Sequence, residues 1–122
     1  MRNPSPLHFE DAYKRIADLS QRRQGFINDY AERLSEAADA KHNFRAARAK
    51  AYALAASEGG TADQKKIRAD ELASEAEHAH DIADALSRAA LERIRACEAD
   101  RSMLRALLGW SMRLAQDHGE GR

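Results

Sequence analysis

The sequence predicts an all-α protein, built as a long antiparallel helical hairpin that resembles a coiled coil. Valine is absent and threonine occurs only at Thr61, so the β-branched runs typical of strands are missing. Charged residues make up 33% of the 122 residues and alanine is frequent, which is the composition of long helices. Both prolines, Pro4 and Pro6, come before Leu7, and nothing after that residue forbids a helix.

The length of the chain predicts one domain, which we place at residues 7–116. Flexible tails are expected at 1–6 and 117–122, and a turn at 58–61. The single cysteine, Cys97, cannot form an intramolecular disulfide and is typical of a reducing compartment. The N-terminus lacks the layout of a signal peptide and no apolar stretch is long enough to span a bilayer, so a cytoplasmic protein is expected, in the host cytoplasm if a phage encodes it.

The first helical run begins with apolar residues at near-helical spacing, at Leu7, Phe9, Tyr13 and Ile16. The polar stretch 20–25, which ends in Gly25, interrupts this stripe. One glycine costs a helix only about 1 kcal/mol, so the helix either continues through the stretch or bends there. The sequence therefore leaves open a third, N-terminal helix.

Two glycines, Gly59 and Gly60, end the first run, since glycine is the usual residue just past a helix end. Thr61 and Gln64 then form the capping-box pattern that begins a second run at Ala62. The predicted inward stripe of this second run consists of Leu72, Ala76, Ala79, Ala83, Leu86, Ala90, Ile94, Cys97, Leu104, Leu108 and Met112.

Pairing the two runs about the glycine turn predicts which residues face each other. Phe44 is expected near Ala76, and Leu34 near Leu86. Phe26 is expected near Ile94. At the end opposite the turn, Phe9 and Tyr13 are expected beside Leu107, Leu108 and Trp110.

The C-terminal part of the second run carries two bulky stripes, and a two-helix hairpin buries only one per helix. Either the N-terminal segment folds back over both, or a homodimer or partner protein covers one of them. A membrane-surface helix is disfavoured because lysines are few and the net charge is zero. The predicted partner or dimer surface comprises Met103, Leu107, Trp110, Leu114, Phe9 and Tyr13.

Basic residues gather on both sides of the turn, seven of them against two acidic residues between positions 41 and 68. They either pair with the acidic stretch that follows, solvate the surface, or contact nucleic acid or an acidic protein. Only Phe44 and Tyr52 could stack on bases, and both are expected in the helix–helix seam, so such binding should be weak, non-specific and salt-dependent. The predicted contacts are Lys41, Arg45, Arg48, Lys50, Lys65, Lys66 and Arg68.

No catalytic, cofactor or metal site is predicted. Glu75 and His78 overlap with Glu77 and His80 as two Glu-x-x-His pairs, but they point to different faces and lack the further ligands of a di-iron bundle. Pairing puts His42 near His78, and we interpret this cluster as solvated polar residues. Cys97 is interpreted as a small buried apolar residue.

The run 46–73 resembles small all-helical accessory proteins of phages and prophages, some of them encoded near recombination or single-strand-binding genes. The resemblance covers about half of the chain and depends on composition and pattern. It includes an alanine-rich helix containing Tyr52, the Gly/Thr turn, a basic helix start, and a later arginine-rich part at 93–95 and 101–105. It implies a phage accessory protein of unknown function and assigns no site residue. The ending 107–112 lies outside it.

Together these patterns predict a non-enzymatic interaction or adaptor protein that binds another protein, or a second copy, through an apolar helical surface. The alternative is an accessory nucleic-acid-binding protein that uses the basic turn region. No small-molecule substrate, cofactor or membrane is expected as a partner.

Overall fold

The computed structural model describes residues 6–120, and their side chains from 9 to 117. Two helices, α1 (Pro6–Glu58) and α2 (Ala62–Glu120), pack against each other, and the described residues contain no strand. The predicted all-α hairpin is therefore confirmed. The predicted tails at 1–6 and 117–122 lie partly outside the described residues, and α2 remains helical through 117–120.

The turn between α1 and α2 owes its shape to two glycines and a reciprocal cap. Gly59 and Gly60 have φ angles of +83° and +107°, which side chains other than glycine rarely adopt. The backbone N–H of Gln64 donates to Thr61 Oγ1 at 3.2 Å, and the backbone N–H of Thr61 donates to Gln64 Oε1 at 3.1 Å. The first bond of α2 follows, from the N–H of Lys65 to the carbonyl of Thr61 at 2.9 Å. The predicted capping box thus closes the start of α2.

The N-terminal segment is not a separate helix, because α1 is helical at every residue through 20–25. A third helix is absent from the described residues. The cost of Gly25 in a helix is about 1 kcal/mol, which the burial of one large apolar side chain exceeds. Leu19, on the turn before this stretch, is 4% exposed and supplies such burial.

The inward face of α2 differs from the predicted stripe toward the turn. Leu72, Ala79 and Leu86 were expected to face α1, but all three are exposed. Alternating steps of three and four along the helix connect the buried and half-buried positions Ala69, Ala73, Ala76, His80, Ala83, Ser87, Ala90, Ile94, Cys97, Arg101, Leu104 and Leu108. Predicted and observed stripes share Ala76, Ala83 and Ala90, but the prediction placed the leucines at 72 and 86 inward in place of their smaller neighbours Ala73 and Ser87.

Contacts between backbone positions divide the chain into two compact units, each containing part of both helices. Unit 1 combines α1 up to Asn28 with α2 from Leu91. Its buried apolar residues are Leu19, Ile94 and Cys97. Arg23 binds Glu98 across the two helices at 2.8 Å. Phe26, expected near Ile94, is half-buried and lines a groove with Cys97.

Unit 2 comprises Asp29–Ala90. Four alanines form its buried cluster, with Phe44 packed against it: Ala51, Ala55, Ala69 and Ala73. Phe44 stacks on the ring of His80 with centroids 5.9 Å apart, about one helical turn from the predicted partner Ala76. Leu34 and Leu86, the other predicted pair, are both exposed.

Candidate interaction surfaces

The clearest candidate surface in unit 1 is one uncovered stripe of α2, which we term the outer stripe: Met103, Leu107, Trp110 and Leu114. These residues expose 63%, 53%, 59% and 38% of their surface. The neighbouring Leu104 and Leu108 are half-buried and lie on the α1 side of α2. Of the two stripes predicted here, the second loses Leu104 and Leu108 to the contact with α1 but keeps Met112 exposed, and the outer stripe stays exposed along its length.

Phe9 and Tyr13 do not join the outer stripe as predicted. They line a separate groove with Met112, Ala115 and Gln116. The Tyr13 hydroxyl donates to the Met112 sulfur at 3.8 Å. Residues 110 and 112 project about 200° apart on a helix, so this groove and Trp110 lie on opposite sides of α2. Tyr13 therefore lies beside Met112 rather than beside Trp110, and these two parts of the predicted six-residue surface lie on different sides of α2.

The basic residues near the turn fall into two groups. Within the part of the chain whose side chains are described, five have no carboxylate at ion-pair distance: Lys41, Arg45, Lys50, Lys65 and Lys66. Arg68, by contrast, binds Glu58 at 3.3 Å and Glu71 at 3.5 Å. The unpaired group leaves unit 2 with basic charge open to solvent.

Arg48 is held by an aromatic neighbour. Its guanidinium donates to the Tyr52 hydroxyl at 3.3 Å and lies 5.5 Å from the centre of that ring. This hydrogen bond, with smaller contributions from Asp70 and Glu77, raises the pKa of Arg48 above its ordinary value, so the side chain stays charged. Tyr52 was expected in the seam but is 39% exposed, so Arg48 and Tyr52 form an exposed pair.

The histidine and carboxylate cluster is distributed around α2. His80 was interpreted as solvated, but its side chain is only 26% exposed, stacks on Phe44 and lies 3.7 Å from Asp81. His42 and His78 are both exposed. Among the described residues, no three His, Cys, Asp or Glu side chains converge on a point where they could hold a metal ion.

Cys97 is buried, as expected, and makes a polar contact that the sequence pattern does not reveal. Its thiol donates to the backbone carbonyl of Leu19 at 3.2 Å, which links α2 to α1 inside unit 1. Cys97 is 4% exposed, and the little surface it keeps borders a groove of unit 1.

A groove with several arginines in unit 1 was not predicted. Its lining includes Arg15, Arg22 and Arg93, together with Asp100 and Cys97. Two of these arginines share one carboxylate, since Asp18 lies 3.3 Å from Arg15 and 3.1 Å from Arg22. The sequence could have indicated these two ion pairs, because Arg15 and Arg22 lie three and four residues from Asp18 on the same helix. Asp18 therefore offsets part of the positive charge beside the groove.

Comparisons with protein-family models, curated proteins and solved structures found no match to this chain. The resemblance to phage accessory proteins therefore stays a prediction. Neither described helix contains a stretch long and apolar enough to cross a membrane.

Proposed function

We propose that this chain is a non-enzymatic interaction protein that binds another protein through the outer stripe. The observation that carries the proposal is the exposure of Trp110 and Met103, at 59% and 63%, on a helix whose other apolar stripe already packs on α1. Exposed apolar side chains that adjoin one another on one face mark interaction sites, whereas single ones are ordinary. Tryptophan and methionine are also enriched at such interfaces.

Site-specific photocrosslinking in cells tests this proposal. A photoreactive phenylalanine analogue at Leu107 should yield a discrete crosslinked protein, because Leu107 lies inside the outer stripe. The same analogue at Leu54, an exposed leucine of unit 2, is the matched control and should give none. Absence of a product at Leu107, with the variant expressed and helical, would contradict the proposal.

The unpaired cations of unit 2 favour a second candidate, an accessory role in nucleic-acid binding. Lys65 and Lys66 open α2 beside the turn, with no carboxylate at ion-pair distance in the described part of the chain. Contact with phosphates through such residues depends on counterion release and therefore weakens steeply with salt. The resemblance to proteins encoded near recombination genes points the same way.

An electrophoretic shift with single- and double-stranded DNA at low salt tests this candidate. Replacing Lys65 and Lys66 with glutamate should abolish the shift, because phosphate contacts become repulsions. The matched control replaces Arg88 and Arg95 with glutamate, which changes the net charge equally but away from the turn. Equal losses in both variants, or an unchanged shift in the first, would contradict a contact at the turn.

A further inference from the structure

We infer that unit 2 binds single-stranded nucleic acid along one exposed row of α1, and that an unpaired base stacks on Tyr52. We term this row the basic row: Lys41, Arg45, Arg48 and Tyr52. The inference deepens the nucleic-acid role proposed above, on which it rests, because it names the substrate class and the surface. The row occupies about 60° of arc on α1 and extends over about 16 Å of helix.

The basic row lies in a part of α1 that carries only positive charge. Residues 40–57 include four lysines and arginines and no aspartate or glutamate. Lys41, Arg45 and Arg48 are exposed, and within the described residues none of them has a carboxylate at ion-pair distance. A polyanion that follows the row therefore meets three cations in succession. Two of these are arginines, whose planar groups bind phosphate through two N–H donors at once.

The exposed positions around the row favour a nucleic acid over a protein partner. From 41 to 52 they hold cations, polar residues, alanines and Tyr52. The exposed Leu54 projects about 200° from Tyr52, on the opposite side of α1. A protein interface has buried apolar and aromatic anchors at its centre, and the row offers a single ring among charges. Cations beside an aromatic ring are instead the combination with which proteins hold a single strand.

Tyr52 distinguishes a single strand from a duplex. Its ring is 39% exposed, and the guanidinium of Arg48 lies over it, 5.5 Å from the ring centre. The hydrogen bond of 3.3 Å from Arg48 to the Tyr52 hydroxyl holds the two planar groups together. Unpaired bases stack on tyrosine rings and on arginine planes, whereas the bases of a duplex are already stacked on each other. A duplex would therefore gain only the phosphate contacts.

Two carboxylates of α2 determine which side of the row the strand follows. Asp70 and Glu77 line a depression beside Arg48, and they weaken the attraction of a phosphate on that side. The other side of the row is bordered by Ala49 and Ala56, which are exposed, uncharged and small. We therefore expect the strand on the side of the row away from α2, where its backbone can come close to α1.

Fluorescence anisotropy of the full chain at low salt tests the inference. The probes are a labelled oligothymidine of about 16 nucleotides and a mixed-sequence duplex of the same length. The single strand should bind more tightly. Tyr52→Ala should weaken single-strand binding about 5- to 150-fold and leave duplex binding nearly unchanged, because only an unpaired base loses its stacking partner. Tyr52→Phe keeps the ring and should bind the single strand nearly as tightly as the original chain.

Tyr13→Ala, at an exposed tyrosine of unit 1, is the matched control and should change binding of neither probe. Circular dichroism confirms that all variants remain helical. Equal weakening of both probes by Tyr52→Ala, or unchanged binding of the single strand, would overturn the inference.

Neutral substitutions test the charges of the row. Lys41→Gln with Arg45→Gln should lower the slope of log K against log salt by about 1.4, as for two lost phosphate contacts at about 0.7 each. Arg88→Gln with Arg95→Gln makes the same change in net charge on α2 and should leave the slope unchanged. Equal changes in both pairs would overturn a contact at the row.

Competition with polyglutamate distinguishes a nucleic acid from an acidic protein as the partner. Polyglutamate has charge but no bases, so it should displace the labelled oligothymidine less well than unlabelled oligothymidine of equal charge does. Equal displacement would show that the row recognises charge alone, and it would overturn the inference.

These results separate the inference from the nucleic-acid role on which it rests. Binding that depends on Lys65 and Lys66 but not on Tyr52 supports that role and overturns the inference. Absence of binding to either probe overturns both. The protein contact proposed at the outer stripe is tested independently, by crosslinking at Leu107.

Discussion

Unit 1 and unit 2 use the same two helices but bury different kinds of side chain. Unit 1 buries the large Leu19 and Ile94, while the most buried residues of unit 2 are alanines and Ser87. Small side chains let helices approach closely, but they remove little apolar surface from water. Unit 2 therefore packs its helices through alanines while its leucines stay exposed, whereas unit 1 buries a small apolar core of larger side chains.

The polar links between the helices differ less between the two units. In unit 1, Arg23 binds Glu98 at 2.8 Å and the Cys97 thiol reaches the Leu19 carbonyl. In unit 2 the helices are linked by the ion pair of Arg68 with Glu58 at 3.3 Å, beside the turn, and by the stack of Phe44 on His80. Each unit therefore has an ion pair between α1 and α2, and unit 2 adds the close packing of its alanines and the capped turn.

Shortening a buried side chain of unit 1 should have the largest effect on stability. Leu19→Ala removes a side chain that is 4% exposed and leaves a cavity, so we expect a loss of about 2–5 kcal/mol in the free energy of unfolding. Urea unfolding followed by circular dichroism at fixed protein concentration measures this loss. Alkylation of the buried Cys97 under native conditions reports local opening of unit 1 and should become faster.

Leu34→Ala in unit 2 is the matched control, because Leu34 is 44% exposed. Its effect should remain within about 0.5 kcal/mol, as for most surface substitutions. If both variants lose a similar free energy of unfolding, the burial of Leu19 contributes no more to stability than an exposed leucine, and unit 1 has no stabilising apolar core. Unchanged alkylation of Cys97 in Leu19→Ala would lead to the same conclusion.

Enlarging a buried side chain should instead damage unit 2. Ala69 is 0% exposed, and Ala69→Leu should destabilise the protein by about 1–3 kcal/mol because the alanine seam has no room for three more carbons. Hydrogen exchange should lose protection chiefly in unit 2, and alkylation of Cys97 should change little, since local opening involves separate parts of a structure.

Ala85→Leu, at an exposed position of unit 2, controls for the change of residue type. Alanine and leucine are both good helix formers, so the helix itself should tolerate it. A stable Ala69→Leu variant would show that the two helices are not closely packed at the alanine cluster. The two units would then differ in which residues they contain, but not in how closely their helices pack.

Much of the fold could be predicted because its signals are local. The absence of valine argues against strands, the two glycines end the first helix, and the Thr61–Gln64 pattern caps the second. Each signal depends only on residues close in sequence, and together they predict two helices and the turn between them. Inward positions were predicted less well. Ala73 and Leu72 are adjacent and both apolar, and only the continuation of the three–four steps from Ile94 shows which one faces α1.

The candidate surfaces were predictable only as stripes on single helices. The outer stripe followed from its spacing, but which of two neighbouring stripes α1 covers depends on the rotation of α2 about its axis. The rotation of α2 about its axis also explains why Tyr13 lies beside Met112, where Trp110 was predicted. A hydrogen bond such as that between Cys97 and the Leu19 carbonyl needs the positions of both helices, which no pattern in the sequence contains.

The turn of unit 2 should give the smallest of these effects. Thr61→Ala removes the hydroxyl that accepts from the N–H of Gln64 at 3.2 Å, so we expect a loss of about 1 kcal/mol in the free energy of unfolding. Gln64→Ala removes the reciprocal bond to the N–H of Thr61 and should cost less, because that N–H is solvent-exposed and can bind water.

The two substitutions share one cap, so their combined cost should be smaller than the sum of the single costs. Hydrogen exchange at the first turn of α2 should accelerate, with protection around Ile94 in unit 1 unchanged. A loss from Thr61→Ala as large as that from Leu19→Ala would contradict the ranking, because the turn would then hold the helices together more strongly than the core of unit 1. Additive costs would show instead that the two hydrogen bonds form independently rather than as one capping box.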